Sequence, residues 1–466
     1  MSIQVPYFYS DSKMLNRAAR IAVGDIAGNC MPYQAGLLQE EATCIMAGLD
    51  YDMPWTRDAS INVMNALCLM DPETAKNTLL SVCEQREGRY YIIGQYWDRI
   101  IWAVGAWQYY LVSGDRDFLT LSADAIANSL EEMERAEQDG ATGLFRGAAV
   151  YGDGVAAYPD RYARTIDHNS GILDCPQVNP AARAKQGYGL PMKALSTNCV
   201  YYAAYRIEEA MCRLLARDGS VYGQKAQALG QAINRRFWNE KTGRYDYLLD
   251  EEGGCDAAEA LGLSFAMLFG LADEQKADSI AAHTYVSQQG IPCVWPSFDR
   301  YRIGDNYGRH SGTVWPHAQG FWGMAMLRSG HQKAFEKELF TMAHRALTDA
   351  QFAEIYHPVS GTIYGGMQED GENGLRVWKS CEKQTWSATG FWSLIYYGIF
   401  GLQFGEESVT VRPCLPTSID HAELKNLPYG DMMLTLIVDR GGNGPSSAVI
   451  SREQKGRKII RLSVDG

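Results

Sequence analysis

Apolar positions recur at helical spacing along most of the chain up to about residue 400. The clearest case is the segment 97–112, in which Ile100, Val104, Trp107 and Leu111 follow this spacing. The same periodicity predicts twelve helices in total, at 14–28, 57–69, 73–85, 97–112, 117–137, 197–216, 220–238, 259–270, 274–286, 316–328, 332–348 and 386–399.

The predicted helices alternate in character along the chain. Those that begin near 57, 97, 197, 259, 316 and 386 are apolar all round, whereas those near 14, 73, 117, 220, 274 and 332 are amphipathic. A helix that is apolar all round is buried, and one with a polar stripe faces solvent. Six helices of each kind in alternation predict an (α/α)6 toroid, in which an outer ring surrounds an inner one. A solenoid of helical pairs requires a repeated sequence period, and none is visible.

The pattern changes after Gly401. Segments 409–413, 432–440 and 458–464 are rich in β-branched residues, and GGNG at 441–444 has the composition of a turn. We therefore expect an all-α toroid with a small C-terminal antiparallel β appendage. The predicted domains are a barrel at 1–403 and a β region at 404–466, packed on the barrel.

Composition and charge narrow the class of partner. The 466 residues carry 43 Lys and Arg against 55 Asp and Glu, a net charge of −12, which disfavours nucleic acid and anionic membranes. The N-terminus MSIQVPYFYSDSK lacks the pattern of a signal peptide, and no run approaches about 18 apolar residues. Eleven cysteines without a CxxC pair favour a reducing compartment. We expect a cytoplasmic protein that binds a small neutral or cationic molecule.

Polar and aromatic residues cluster in the loops that lead into the inner helices. In a toroid these loops open onto one face, so their side chains converge on one pocket. Aromatic walls with carboxylates, amides and a guanidinium suit a sugar, whose C–H faces stack while its hydroxyls form hydrogen bonds. The segments are YDMPWTRDAS (51–60), GQYWDR (94–99), LSTNC (195–199), GRHSGTVWPHAQG (308–320) and SCEKQTWSATG (380–390).

Each cluster also has a purely structural interpretation. Trp55 and Trp315 are of a type common in cores, and Asp58 and Asp98 are typical of first helical turns. Arg57 beside Asp58 is compatible with a structural ion pair. The recurrence of such clusters at five inner-helix starts favours a site.

Three of these segments resemble motifs of known glycosidases. PWTRDAS is similar to the W-x-R-D motif of glucoamylases and of the glucosidase domain of glycogen-debranching enzymes. HSGTVWPHAQGFWGMAML is similar to the segment that enters an inner helix in those families. FAEIYHPVSG (352–361), followed by KQTWSATGFW, resembles a pattern of family-63-type glucosidases. By this resemblance the chain is identified as a member of the six-hairpin glycosidase superfamily.

The resemblance implies roles for individual residues. Glu354 is the expected general base, and Arg57 and Asp58 are expected to hold the sugar. The general acid of these families lies in the loop before the inner helix that starts near 197. There the segment 143–162 departs from the usual acid motif, and Asp153 is the candidate, with Asp160 as the alternative. Expected substrate-binding residues are Trp55, Arg57, Asp58, Trp97, Asp98, His310, Trp315, His317, Gln384 and Trp386.

These assignments predict an exo-acting, inverting α-glycosidase, resembling an α-glucosidase, that works by general acid and base catalysis on a small oligosaccharide or glycoside. Acetal hydrolysis of this kind needs one protonated and one ionised carboxyl on opposite faces of the sugar. Glu382 is an alternative base, although two lysines flank it closely. No motif for a metal or an organic cofactor is present, so none is expected.

Other functions remain open on the same barrel. His310 and His317 are a candidate pair of proton shuttles for a sugar 2-epimerase. Arg300, Arg302 and Arg309 are close in sequence and would suit the phosphate pocket of a phosphorylase. A non-catalytic sugar-binding protein would not need two opposed acids. DCPQ at 174–177 is similar to a motif of α-L-rhamnosidases but lies in a different loop, and we attribute it to chance.

Overall fold

The computed structural model describes residues 5–163, 170–174 and 189–465. The DCPQ segment, apart from the backbone of Asp174, lies outside these residues. The main helices of the described residues are α1 (Lys13–Gly28), α2 (Thr56–Asn62), α3 (Pro72–Ser81), α4 (Trp102–Ser113), α5 (Arg116–Glu137), α6 (Leu195–Leu214), α7 (Ser220–Phe237), α8 (Ala260–Leu268), α9 (Glu274–His283), α10 (Pro316–Arg328), α11 (Gln332–Asp349) and α12 (Thr385–Ser393). They confirm the twelve helices predicted from periodicity.

Two inner helices continue beyond these bounds. Helix α2 runs on through a π-helical turn (Val63–Leu67) and a short α-helix (Cys68–Met70), and α12 continues as a π-helix (Leu394–Ile399). Single 3-10 turns lie at Arg99–Ile101, Val155–Ala157, Ile172–Asp174, Asp299–Tyr301 and Gly371–Asn373.

The even-numbered helices form a closed inner ring. Each of α2, α4, α6, α8, α10 and α12 contacts the next, and α12 contacts α2. All nine residues of α12 are buried, whereas α11 buries one stripe that includes Phe335, Leu339 and Met342. The apolar and amphipathic patterns therefore sort the helices into two rings, because burial of apolar surface drives the packing.

Glycines let neighbouring inner helices approach closely. A Cβ at Gly320 would lie 2.8 Å from the backbone oxygen of Gly390, and one at Gly105 would lie 2.8 Å from the backbone of Ser60. Any side chain at either position would push the ring apart.

The two rings differ in how their helices begin. Four outer helices carry a side-chain cap that accepts a backbone N–H, namely Ser12, Asp71, Asp115 and Asp273. The inner helices α2, α6, α8, α10 and α12 have no side-chain cap among the described residues. Their first N–H groups and the positive ends of their dipoles are thus directed to one face of the ring.

Strands are more numerous than the sequence predicted. The described residues contain β1 (Tyr7–Ser10), β2 (Cys30–Tyr33), β3 (Ala42–Ile45), β4 (Cys83–Arg86), β5 (Arg89–Ile92), β6 (Lys193–Ala194), β7 (Trp238–Asn239), β8 (Arg244–Tyr245), β9 (Leu248–Asp250), β10 (Gly253–Cys255), β11 (Ala258–Glu259), β12 (Val294–Trp295), β13 (Met367–Glu369), β14 (Leu375–Val377), β15 (Leu402–Phe404), β16 (Ser408–Val411), β17 (His421–Tyr429), β18 (Met432–Arg440), β19 (Ala448–Ser451) and β20 (Gly456–Val464).

The predicted fold class, all-α with a small antiparallel appendage, is wrong. Of the residues that the structure describes, 44% are helical and 21% are in strands, which form several sheets. The largest has the order β1-β17-β18-β20 and is mixed, because β18 and β20 are parallel. The parallel pair arises because the chain leaves β18, pairs as β19 with β16 in a second sheet, and returns to the first sheet as β20. The domain boundary at residue 403 stays a prediction. None of the helices within the described ranges is long and apolar enough to cross a membrane.

Candidate active site

A pocket of about 350 Å³ lies at the N-terminal ends of the inner helices. Trp55 stands at its mouth with 38% of its surface exposed. Nine of the twelve residues predicted for the site line this pocket: Trp55, Arg57, Asp58, Asp153, His310, Trp315, Glu354, Gln384 and Trp386.

The other three, Trp97, Asp98 and His317, lie behind the pocket wall. The indole N–H of Trp97 donates to the carbonyl of Ala149 at 3.0 Å. Asp98 accepts a hydrogen bond from Arg57, and the buried ring of His317 stacks on Trp386 with 4.1 Å between centroids. These three residues support the lining, although they are not part of it.

Arg57 joins one wall of the pocket through a set of short hydrogen bonds. Its Nη1 donates to Gln95 at 2.7 Å and to Asp98 at 2.8 Å, and its Nη2 donates to Asp153 at 2.8 Å. The Nε lies 3.7 Å from Asp58, so this neighbour in sequence is the weaker partner. Arg57 therefore ties the start of α2 to the loop that carries Asp153.

The carboxyl groups around Arg57 differ in protonation. Burial raises the pKa of Asp58 and of Asp98 to about 7, against the opposing charge of Arg57. Burial also disfavours the charged form of Asp153, but the positive charge of Arg57 and its hydrogen bond outweigh this effect and lower the pKa of Asp153 below the usual range. The Asp153 side chain keeps 38% of its surface open. In the free protein Asp153 is thus an accessible carboxylate.

Glu354 is held on another wall by a second arginine. Its Oε2 accepts from Nη2 of Arg309 at 2.7 Å and from the backbone N–H of Cys381 at 3.2 Å. Its Oε1 accepts from the hydroxyl of Tyr51 at 3.3 Å. Because three donors converge on this buried carboxylate, its orientation toward the pocket is fixed.

Asp153 and Glu354 reach the pocket from different loops of the ring. Asp153 lies in the loop before α6 and Glu354 in the loop before α12, which are the third and sixth inner helices. Both side chains line the same cavity, Asp153 beside Arg57 and His310, and Glu354 beside Arg309. A ligand in the pocket can thus contact both carboxyl groups.

The rival candidates for acid and base lie elsewhere. The carboxylate of Asp160 accepts the backbone N–H of Arg300 at 3.2 Å, outside the pocket lining. Glu382 is exposed on the surface. Neither residue lines the cavity that contains Asp153 and Glu354.

The pocket does not bring together the histidine pair expected of an epimerase or the three arginines expected of a phosphorylase. Burial lowers the pKa of His310 and of His317 to about 3, and only His310 of the two lines the cavity. Arg300 is paired with Glu369 at 2.6 Å, and Arg302 is exposed. These observations do not favour an imidazole pair or a phosphate pocket. Among the described residues, no group of three His, Cys, Asp or Glu side chains is arranged to hold a metal ion.

Sequence reasoning missed several lining residues. Tyr51 and Gln95 lie inside segments that it had singled out, so their polar and aromatic character was a usable signal, whereas Arg309 had been considered only as a phosphate ligand. Gln368 and Trp378 come from the hairpin β13–β14 and the residue after it, which no periodicity marks. Tyr151, Gly154, Ser170 and Gly171 complete the lining from the long loop before α6.

A closed ring of six inner helices with a pocket at their N-termini is the architecture of the six-hairpin glycosidases. The family model of the mannosylglycerate hydrolase MGH1-like glycoside hydrolase domain matches residues 95–387, and the chain belongs to this family. Residues 95–387 therefore form a domain of glycoside hydrolase type.

Solved structures share the fold at low sequence identity. A protein titled sialidase superposes with a TM-score of 0.70 at 15% identity, over 96% of this chain and 40% of that one. A family 78 rhamnosidase of Bacillus sp. GL1 has a TM-score of 0.60 at 15% identity, with 99% and 44% covered. The chain thus spans less than half the length of these two proteins.

A neighbour of closer size is the family 63 mannosylglycerate hydrolase from Thermus thermophilus, solved with Tris and D-glycerate. It has a TM-score of 0.59 at 15% identity, over 81% of this chain and 100% of that one. A search of curated proteins finds no match.

Proposed function

We propose that this glycoside hydrolase is an exo-acting α-glycosidase that removes a terminal sugar from a small glycoside with inversion. The observation that carries the proposal is the pair Asp153 and Glu354, which are held by different arginines and line the same pocket. A cavity of about 350 Å³ is small for a pocket that would hold a long chain, which supports an exo mode of action.

In the proposed mechanism Asp153 is the general acid. It must take up a proton before it can donate one to the leaving oxygen, because Arg57 keeps it ionised in the free protein. A sugar hydroxyl that accepts a hydrogen bond from Arg57 weakens the contact with Asp153, so substrate binding itself favours this protonation. Asp153 then donates the proton as the glycosidic bond breaks.

Glu354 is the proposed general base. Its carboxylate accepts a proton from a water molecule that attacks the anomeric carbon from the face opposite the leaving group. This inverts the configuration, and an α-glycoside releases the β-anomer first. The positions of the two loops across the ring support the wider separation of inverting enzymes, roughly 6.5–9.5 Å between carboxyl groups.

The sugar of the substrate is proposed to have glucose configuration, as the sequence motifs suggest. A mannosylglycerate is the second candidate, because the matching family model bears that name and the Thermus neighbour was solved with D-glycerate. The pocket volume suits either a disaccharide or a monosaccharide glycosidically linked to a short hydroxy acid.

The test is a panel of α- and β-linked glucosides and mannosides that includes mannosylglycerate, with early NMR spectra of the released sugar. We expect hydrolysis of an α-glycoside with the β-anomer appearing first. Release of the α-anomer first would refute inversion, and hydrolysis of β-glycosides alone would refute the α-specificity. Epimerisation or phosphate-dependent release without hydrolysis would contradict the whole proposal.

A further inference from the structure

A second cavity, of about 540 Å³, lies at the end of the inner ring opposite the active site. It is formed by the later turns of the inner helices and by β15, whereas the active site is formed by their first turns. It is the larger of the two cavities, and its volume is typical of small-ligand sites, which measure about 300–1,000 Å³.

The wall of this cavity is mainly apolar and aromatic, with Trp107, Tyr202, Phe269, Phe321 and Met324 among its residues. Rings of this kind offer broad contact surface to an apolar body. The wall therefore suits a ligand with a substantial apolar part.

Two amide donors in the wall have no acceptor among the described residues. Asn65 is only 2% exposed, and its Nδ2 has no hydrogen-bond partner there. The Nε2 of Gln108, whose residue also lines the cavity, is buried and equally without a described partner. Buried donors are nearly always paired, so these two groups point to a ligand or solvent that brings acceptors.

The charges at this cavity are opposite to those of the protein as a whole. The chain carries −12, yet the described lining contains Arg206 and Arg328 and no Asp or Glu. Arg206 pairs with Glu209 at 3.5 Å, whereas among the described residues Arg328 makes only a long hydrogen bond, 3.5 Å to the carbonyl of Leu268. Arg328 is an exposed residue in the lining of the apolar wall, where it can meet an anion.

We propose that this cavity binds an amphipathic organic anion, with its apolar body against the aromatic wall and its carboxylate at Arg328. The combination of apolar surface, unpaired donors and cationic groups without described lining acids selects this chemistry over a sugar or a cation. The proposal is independent of the proposed function, because it concerns the opposite end of the ring and is tested by binding alone.

The experiment is calorimetric titration of the full chain with decanoate as an aliphatic acid and 2-naphthoate as an aromatic one. We expect saturable one-to-one binding of at least one acid, and weaker binding of the neutral analogues decanol or 2-naphthylmethanol. Arg328→Gln should weaken binding roughly tenfold or more, because a charge-assisted hydrogen bond is lost. Arg235→Gln removes an exposed arginine outside the lining and should leave the affinity unchanged.

A second variant tests the cavity itself. Ala203→Trp fills the space from α6, and it should abolish binding while Arg328→Gln only weakens it. Circular dichroism and the melting temperature verify that each variant is folded. Failure of both acids to bind, or equal affinity of the protein and its Arg328→Gln variant, would overturn the proposal whatever the glycosidase assays yield. Equal binding of the acid and the neutral analogue would do the same.

Discussion

Each carboxyl group proposed for catalysis is bound by its own arginine, and the two arginines differ in what they do to the site. Arg57 shares its donors among Gln95, Asp98 and Asp153, so its contact with Asp153 can be exchanged for a ligand. Arg309 also donates to the carbonyls of Gly365 and Lys379, which fixes it to the protein frame. The contact between Arg57 and Asp153 is thus suited to break when a ligand binds, whereas the contact between Arg309 and Glu354 is suited to persist through the reaction.

At Asp153, replacement by Asn keeps the shape of the side chain and removes the proton to be donated. We expect kcat/KM for an oligosaccharide to fall roughly 100- to 10,000-fold, the range of general acid catalysis. Activated glycosyl fluorides should lose far less, since their leaving group needs no proton. Steady-state kinetics on both substrates test this, and full activity on the oligosaccharide would transfer the role to another group.

At Arg309, replacement by Lys retains the charge but loses the planar fork that meets Glu354 at 2.7 Å and the two carbonyls. Its guanidinium carbon also lies 5.7 Å from the centre of the Trp315 ring, a contact that Lys would not reproduce in the same form. We expect kcat to fall about 10- to 100-fold with a smaller change in KM, because the base is misdirected while the sugar still binds. Arg302→Lys, on the exposed loop nearby, is the matched control. An unchanged kcat in Arg309→Lys would contradict the positioning role.

Elements with long periodic patterns were predictable, and those without were not. All twelve helices follow from 3.6-residue spacing, since each has one buried face or is buried throughout. Strand β17 was missed because a bulge between Leu424 and Leu427, with Asn426 at a φ of 60°, breaks its alternation. Two-residue strands such as β6 and β11 carry no period at all. The parallel orientation of β18 and β20 was missed as well, because alternation is the same in both orientations.

The residues of the candidate site that lie at the start of an inner helix could be predicted from the sequence, and those on the hairpin β13–β14 could not. Trp55, Arg57 and Asp58 lie at the start of α2. Once a toroid is assumed, the start of an inner helix has a known place at one face of the ring, so these residues could be assigned to the pocket. Gln368 reaches the pocket from β13, whose neighbour Glu369 is fixed by Arg300 and by the hydroxyl of Tyr301. Nothing in a sequence pattern indicates where such a hairpin will dock.

The position of the loop that carries Asp153 requires glycine at the next residue, Gly154, because a side chain there would clash with its neighbours. A Cβ added at Gly154 would lie 2.2 Å from Oε1 of Gln368 and 2.7 Å from the ring of His310, which is stacked on Trp315. We expect Gly154→Ala to displace this loop and to lower kcat/KM at least about tenfold, with about 1–3 kcal/mol of overpacking strain. Gly140→Ala, which meets nothing within 4 Å, should leave kinetics unchanged. Melting temperatures and steady-state kinetics of both variants test this prediction. Normal activity in Gly154→Ala would show that the loop tolerates the side chain.

For the whole molecule, a buried carboxyl away from the pocket lining predicts how stability depends on pH. Burial raises the pKa of Glu259 to about 8, and its Oε2 accepts the backbone N–H of Ser196. The folded state therefore retains a proton that the unfolded chain releases near its ordinary value of 4.5. This contribution to the free energy of unfolding is present at low pH and is lost as the pH rises through about 8, with a slope of up to about 1.4 kcal/mol per pH unit.

Glu259→Gln imitates the protonated form, so its melting temperature should fall less between pH 6 and pH 9 than that of the parent protein. The remaining decrease would come from other buried carboxyl groups whose raised pKa values act in the same direction, among them Asp58, Asp98, Glu208 and Glu338. Glu251→Gln on the surface is the control, and it should keep the parent's dependence. Parallel melting curves for parent and Glu259→Gln would show that Glu259 is ionised in the fold.

Strand β1 pairs with β17, so that Tyr7 lies opposite Lys425, and α1 packs on α11 and α12. During synthesis these early elements therefore lack these partners until the segment from α11 to β17 has left the ribosome. Until then the apolar stripe of α1 stays uncovered, and loop closure over such distances is slow. The nascent chain consequently carries this exposed apolar surface, which favours aggregation, until α1 can pack on α11 and α12.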